Sequence, residues 1–254
     1  MDEQLLLEEL KKIVDITTKR GVLVRGLGAT AIRRHSLGFA EKYPVLRREL
    51  TDLDLITYSR HEKRVIDVLN DCGYHQDRAR AYLRKLSGRS TLENPNIHLV
   101  ADLFFDKLSY NHVLSLKERL EKDPLTIPLA DLFLEKMQIV QINEKDVKDV
   151  ILLLRQHPLG SIDEETVNVE RICRVLSEDW GFYYTVTTNL GKISEYAKNL
   201  EGLQEDDCNG ILSKIDQLRN AIESSPKSLG WKMRARVGVT KKWYEDVEEL
   251  YGGH

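Results

Sequence analysis

The stretch Leu23-Val-Arg-Gly-Leu-Gly28-Ala-Thr-Ala-Ile32, followed by Thr51-Asp-Leu-Asp-Leu-Ile-Thr57, constrains the fold of this chain more than any other feature. The first segment reads as an apolar strand that runs into a glycine turn and then a helix. Such a turn presents backbone N–H groups and a helix N-terminus to an anion. In the second, side chains two apart leave the same face of a strand. Asp52 and Asp54 therefore point together, while Leu53 and Leu55 pack behind them. Two carboxylates held this way suit one or two Mg²⁺ ions, hard cations that take oxygen ligands and bridge phosphates. Each half alone is also common as a plain solvated turn; it is their order that carries information.

A third acid strengthens the pattern. Asn96-Ile-His-Leu-Val-Ala-Asp-Leu-Phe-Phe-Asp106 is an apolar strand carrying Asp102 and Asp106. At period two these acids share a face with Val100 and Phe104. Carboxylates in so apolar a strand are costly to bury unless paired or metal-bound. Phosphate cradle first, metal carboxylates second and a further acid on a later strand make the sequence skeleton of a nucleotidyl-transfer site.

The ordered set resembles the polymerase-β-like nucleotidyltransferase superfamily, and in particular its AbiEii-type branch, linked to abortive infection and toxin–antitoxin systems. Gly28-Ala29 falls where that family carries paired small residues, Asp52 and Asp54 match its D-x-D, and Asp102 matches the third acid better than Asp106 does. Asp131-Leu-Phe-Leu-Glu-Lys136 looks like the branch's D-L-x-x-x-K helix, and Lys145-Asp146-Val-Lys-Asp149 resembles its K-D-x-x-D helix start. The resemblance covers roughly residues 20–156. With the helical periodicity of the later chain, it gives an expected α+β fold: a mixed-sheet nucleotidyltransferase core over residues 1–158 and an α-helical C-terminal domain over 159–254. It also implies an NTP substrate held at Gly28, Ala29 and Lys136, and Mg²⁺ held by Asp52, Asp54 and Asp102. Two departures stand out. Ala29 replaces the second Gly or Ser of the turn, and the stretch from Gly28 to Asp52 is longer than in small members, which loosens the expected coupling between turn and carboxylates.

The remaining composition fits an intracellular enzyme. Of 254 residues, 41% are hydrophobic and 31% charged, at a formal net charge of −3. That is enough apolar material for a sizeable core and argues against disorder. Cys72, Cys173 and Cys208 are far apart and lack any C-x-x-C spacing, so neither a disulfide framework nor a cysteine zinc site follows. The N-terminus is acidic and amphipathic without a signal-peptide pattern, and no apolar run reaches membrane-spanning length. The expectation is a cytoplasmic protein without a membrane partner.

Periodicity divides the chain into three zones. Residues 2–19 carry Leu6, Leu10, Ile13 and Val14 at helical spacing, stopped at Gly21. The second zone alternates: strand 22–25, a helix after Gly28, strand 52–57, helix 60–70 and extended segments to Asp106. It includes a hairpin of 81–86 and 89–93 about Ser87-Gly88, and closes with helices 129–142 and 144–156. From Ser161 onward the pattern is helical.

Lys136 sits on the apolar stripe of its helix, either snorkelling from the core edge or aimed as a point charge at the phosphates. Basic residues gather at Arg78, Arg80, Arg84, Lys85 and Arg89, and again at Lys227, Lys232, Arg234, Arg236, Lys241 and Lys242, interleaved with Trp231, Trp243 and Tyr244. Positive charge with aromatic faces suits a polyanion such as RNA; a solvated face with buried tryptophans is the plainer alternative. His35 and His112 read as core or turn histidines. The expected activity is Mg²⁺-dependent transfer of a nucleoside monophosphate to an unidentified acceptor (RNA, protein or small molecule). The alternatives are a nucleotidyltransferase-fold binding module without turnover and a metal-dependent phosphohydrolase.

Overall fold

A computed structural model describes residues 2–76 and 88–246. The first arm of the expected hairpin, together with Arg78, Arg80, Arg84 and Lys85, lies outside these residues. Among them the fold is mixed α and β, with ten α-helices and nine strands.

The N-terminal helix α1 (Glu3–Lys19) is capped by the Asp2 carboxylate, which accepts from the backbone N–H of Gln4 at 2.9 Å. It buries Leu6, Leu10, Ile13 and Val14, the face its periodicity marks out. Strand β1 (Val24–Leu27) leads into α2 (Gly28–His35) and the short α3 (Leu37–Lys42). Strand β2 (Leu53–Thr57) and helix α4 (Glu62–Asp71) follow, then β3 (His75–Gln76), β4 (Arg89–Asn94) and β5 (Leu99–Phe105). Short strands β6 (Lys107–Ser109) and β7 (Val113–Ser115) extend the sheet from β5. The main path runs β1-β2-β5-β4-β3; β2 and β5 are parallel, and the other pairs along it antiparallel.

The two sheet faces have different jobs. Leu53, Leu55, Ala101 and Leu103 pack with Leu6, Leu10, Val65 and Leu69 of α1 and α4. Period-two alternation then turns Asp54, Ile56, Asp102 and Phe104 to the opposite face. There Ile56 and Phe104 join α2, α5 (Leu129–Met137) and α6 (Glu144–Gln156) in a larger cluster. Helix α5 is shorter than the expected 129–142, because the chain turns at 138–143 and Asn143 caps α6 by accepting from the Asp146 N–H at 2.9 Å.

The later helices are α7 (Val169–Glu178), α8 (Trp180–Asn199), α9 (Glu205–Ser224) and α10 (Leu229–Val237), preceded by the small parallel pair β8 (Leu159–Gly160) and β9 (Val167–Asn168). Their apolar residues Ile172, Leu176, Phe182, Leu190, Ile215 and Ile222 belong to the same continuous cluster as Leu27, Ile56 and Phe133. Hydrophobic burial thus crosses the 158/159 boundary without a break. Buried Asp131 adds a polar tie: its carboxylate accepts from Arg119 Nε at 2.7 Å and from Arg171 Nε, on α7, at 2.9 Å. Asp131 of the D-L-x-x-x-K segment is therefore a structural anchor. No helix among the described residues is long and apolar enough to cross a membrane.

Candidate active site

The sheet register brings turn and acids into one row. Leu27 pairs with Asp54 across the antiparallel β1–β2 ladder, and Asp54 pairs with Asp102 across the parallel β2–β5 ladder. Gly28, next to Leu27, has φ +70°, and a Cβ there would overlap Asp54 Oδ2. Glycine is required both for the left-handed backbone and for the close approach. The long stretch between turn and D-x-D does not loosen them. It is looped out through α3 and a short 3₁₀ turn at Pro44–Leu46, and the Thr30 hydroxyl donates to the Asp52 carbonyl at 3.2 Å.

Asp52 lies just before β2 and is exposed, whereas Asp54 is partly buried on the strand. Asp54's carboxyl is held well above the ordinary carboxylate range, first by burial, then by repulsion from Asp52 and Glu135, with Asp102 adding and Lys136 opposing. A cation would relieve that repulsion. Asp102 is 8% exposed; it accepts from the Thr91 hydroxyl at 2.5 Å and pairs with Arg89 Nη1 at 3.0 Å. Asp106 does not share this face. It sits beyond β5 at φ +59° and accepts from the Ser59 N–H at 3.0 Å, a turn-fixing role.

Two further groups close the site, and neither stands out in the sequence. Glu135, 6% exposed on α5, accepts from the Gly28 N–H at 3.1 Å. A carboxylate thus occupies part of the anion position the turn creates. Tyr110, in the loop after β6, is half-buried, and its hydroxyl is raised well above its usual value by burial and then by the charges of Asp54 and Glu135. Only the spacing of Glu135, one residue before Lys136 on a buried helix, hints at its role; Tyr110 has no local signal at all.

Lys136 is buried at 8% exposure, within 3.2 Å of Asp146, 3.5 Å of Asp149 and 3.7 Å of Glu135. Burial works against its charge, but Glu135, Asp149 and Asp146 override it and hold the ammonium firmly protonated. Asp149 also pairs with Arg48 at 3.2 Å. Lys136 is therefore neither a snorkelling residue nor a free cation in an open cleft. It is the centre of an ion network beside the turn. Ala29 is 7% exposed in the core cluster of α1 and α4, so it contributes backbone rather than side chain to the turn.

Asp52, Asp54 and Asp102 line one region without gathering as tightly as the one three-residue group whose ligand atoms lie within 4.8 Å of one another among the described residues, His35, His157 and Glu165. The acidic set still fits Mg²⁺ by chemistry, because its donors are all oxygen and Mg²⁺ takes one or two carboxylates and completes its shell with water and substrate phosphates. Like-charge repulsion at Asp54 points the same way.

Elsewhere the expected basic surface divides. Lys227 donates to the Ser225 carbonyl at 2.9 Å, and Arg234 donates to the carbonyls of Gly238 and Lys241 at 2.7 Å each while stacking over Trp180. Lys232, Arg236 and Lys241 are exposed. Asn111, next to Tyr110, exchanges backbone and side-chain bonds with Glu245, so the end of this segment is tied to the loop between β6 and β7. His112 is a core histidine: its Nε2 shares a hydrogen bond with Thr185 Oγ1 at 2.8 Å, its ring stacks on Phe182, and burial lowers its pKa to about 4. The three cysteines are free and half-buried.

No family model matches the chain, and no curated protein matches it.

Proposed function

We propose that this chain is a Mg²⁺-dependent nucleotidyltransferase, moving a nucleoside monophosphate from an NTP to an acceptor and releasing pyrophosphate. The observation that carries the reading is the row Gly28–Asp54–Asp102, in which an anion-binding turn and two acids meet across three neighbouring strands. The backbone N–H groups at Gly28 and Ala29 hold phosphate oxygens, with the Glu135 carboxylate giving up the Gly28 N–H as they enter. Asp52 and Asp54 are the metal-holding pair. Mg²⁺, when bound, neutralises phosphate charge and supplies Lewis-acid stabilisation. Asp102 completes that set or accepts the acceptor's proton, its orientation fixed by Thr91 and Arg89. Lys136 keeps Glu135, Asp146 and Asp149 together at the back of the turn, and so positions the phosphate side. The resemblance to AbiEii-type nucleotidyltransferases supports the same assignment. RNA is the acceptor favoured by the exposed, basic Lys232, Arg236 and Lys241.

One observation favours a second reading, a nucleotidyltransferase-fold binding module without turnover: Gly28 and Lys136 already satisfy carboxylates of the chain itself. Incubation with each labelled NTP, Mg²⁺ and total cellular RNA or protein separates the two. Covalent labelling of one fraction supports transfer; saturable NTP binding without label in any fraction supports the module.

A further inference from the structure

His35 ends α2, His157 follows α6, and Glu165 lies in the loop between β8 and β9. Their ligand atoms lie within 4.8 Å of one another. His35 Nδ1 is 3.2 Å from Glu165 Oε1, and His157 Nδ1 is 3.4 Å from Glu165 Oε2. Both imidazoles are nine-tenths or more buried, whereas Glu165 is 67% exposed, so the cluster is roofed by a solvent-accessible carboxylate.

The hydrogen bonds fix the tautomers. His157 Nε2 is 2.9 Å from the carbonyl of His35, which only accepts, so Nε2 carries the proton. His35 Nε2 is 2.8 Å from Thr126 Oγ1. That hydroxyl gives its own proton to the Ile127 carbonyl at 2.9 Å, so it accepts from His35. In the neutral rings both Nδ1 lone pairs are then bare and aimed at a carboxylate; His157 Nδ1 also faces the Glu165 carbonyl at 3.3 Å. Lone pairs converging on acceptor oxygens repel one another unless a cation, a proton or a metal ion, lies between them. The nearby ammonium of Lys214 is committed to the carbonyls of Leu154 and His157, at 2.6 and 2.7 Å.

We propose that His35, His157 and Glu165 form a binding site for a borderline divalent cation, Zn²⁺ by its donor set, separate from the acids at Asp52 and Asp54. Two imidazoles and one carboxylate are the donors such ions prefer over Mg²⁺. Bonds of about 2.0–2.2 Å in tetrahedral geometry put neighbouring donors about 3.3–3.6 Å apart, close to the two imidazole–carboxylate distances of 3.2 and 3.4 Å found here. The Nε2 partners, a backbone carbonyl and Thr126, are the outer contacts that orient metal-bound histidines. Three protein donors leave a fourth position for water. The ion staples the end of α2, the end of α6 and the loop that leads into the helical region. This assignment does not depend on the proposed transfer activity.

The test is a zinc titration of the full-length protein, stripped with chelator and dialysed, against a chromophoric competitor, with Co²⁺ as a spectroscopic stand-in. About one equivalent should bind, with visible bands of four-coordinate Co²⁺ and a rise in melting temperature that chelator reverses. Glu165→Gln and His157→Gln should each weaken binding by about tenfold or more, and Asp54→Asn should leave it unchanged. Because Glu165 is exposed, its variant folds normally, which a thermal melt verifies. Absence of saturable binding to the wild type would overturn the assignment. So would equal binding by both cluster variants, or its loss in Asp54→Asn.

Discussion

Gly28 stands against the Asp54 carboxylate so closely that no side chain fits between them. At φ +70° the same position also demands glycine on backbone grounds. Gly28→Ala therefore strikes the turn and the acid together. The expected outcome is a loss of about 1–3 kcal/mol in urea unfolding and of NTP binding in titrations. Normal stability with normal nucleotide binding would show that the turn and Asp54 are not coupled.

Lys136 neutralises three acids from inside the fold. Its replacement by Met leaves Glu135, Asp146 and Asp149 repelling one another in a buried site, with a cost of about 3–5 kcal/mol. Reduced stability should thus accompany any loss of NTP affinity. A variant that unfolds like wild type while losing nucleotide binding would return Lys136 to direct phosphate contact.

Asp207 on α9 supplies a pH-dependent tie to the core. Burial pushes its pKa up, but hydrogen bonds from Tyr43, Lys42 and Arg155 prevail and hold it at about 2. A folded-state pKa below the unfolded one stabilises the protein above the unfolded value and loses that contribution as pH falls. Stability should drop by on the order of 2 kcal/mol between about pH 4 and pH 2 on this account, and Asp207→Asn should show a smaller acid slope. An identical slope in the variant would contradict the assignment.

The exposed basic residues of the C-terminal segment are a test of the acceptor. With Lys232, Arg236 and Lys241 neutralised, RNA binding should weaken and the slope of log affinity against log salt should fall by roughly two. NTP affinity should be unchanged. Arg234 is left out of the set because its guanidinium is committed to main-chain carbonyls. An unaltered salt slope would exclude this segment as the contact.

What the sequence made legible was the part governed by local periodicity. Alternation in β2 and β5 placed Leu53 and Leu55 behind Asp54 and separated them from it, and the structure has them so. Asp106 misled because period two holds only while the chain stays extended, and it leaves the strand in a left-handed turn. Glu135 and Tyr110 reach the site through packing of α5 and of the loop after β6, contacts with no sequence spacing to mark them. The same holds for His35 and His157, which are 122 residues apart and meet only because α2 and α6 end side by side.

In the proposed reaction the α-phosphorus of an NTP is attacked. This is tested most directly by parallel reactions with Mg²⁺ and α-labelled or γ-labelled NTP, using wild type and Asp54→Asn. The α-label should enter an acceptor, γ-label should leave as pyrophosphate, and Asp54→Asn should lower both by roughly a hundredfold or more. Release of γ-label as inorganic phosphate with no α-label incorporated, or full activity in Asp54→Asn, would contradict it.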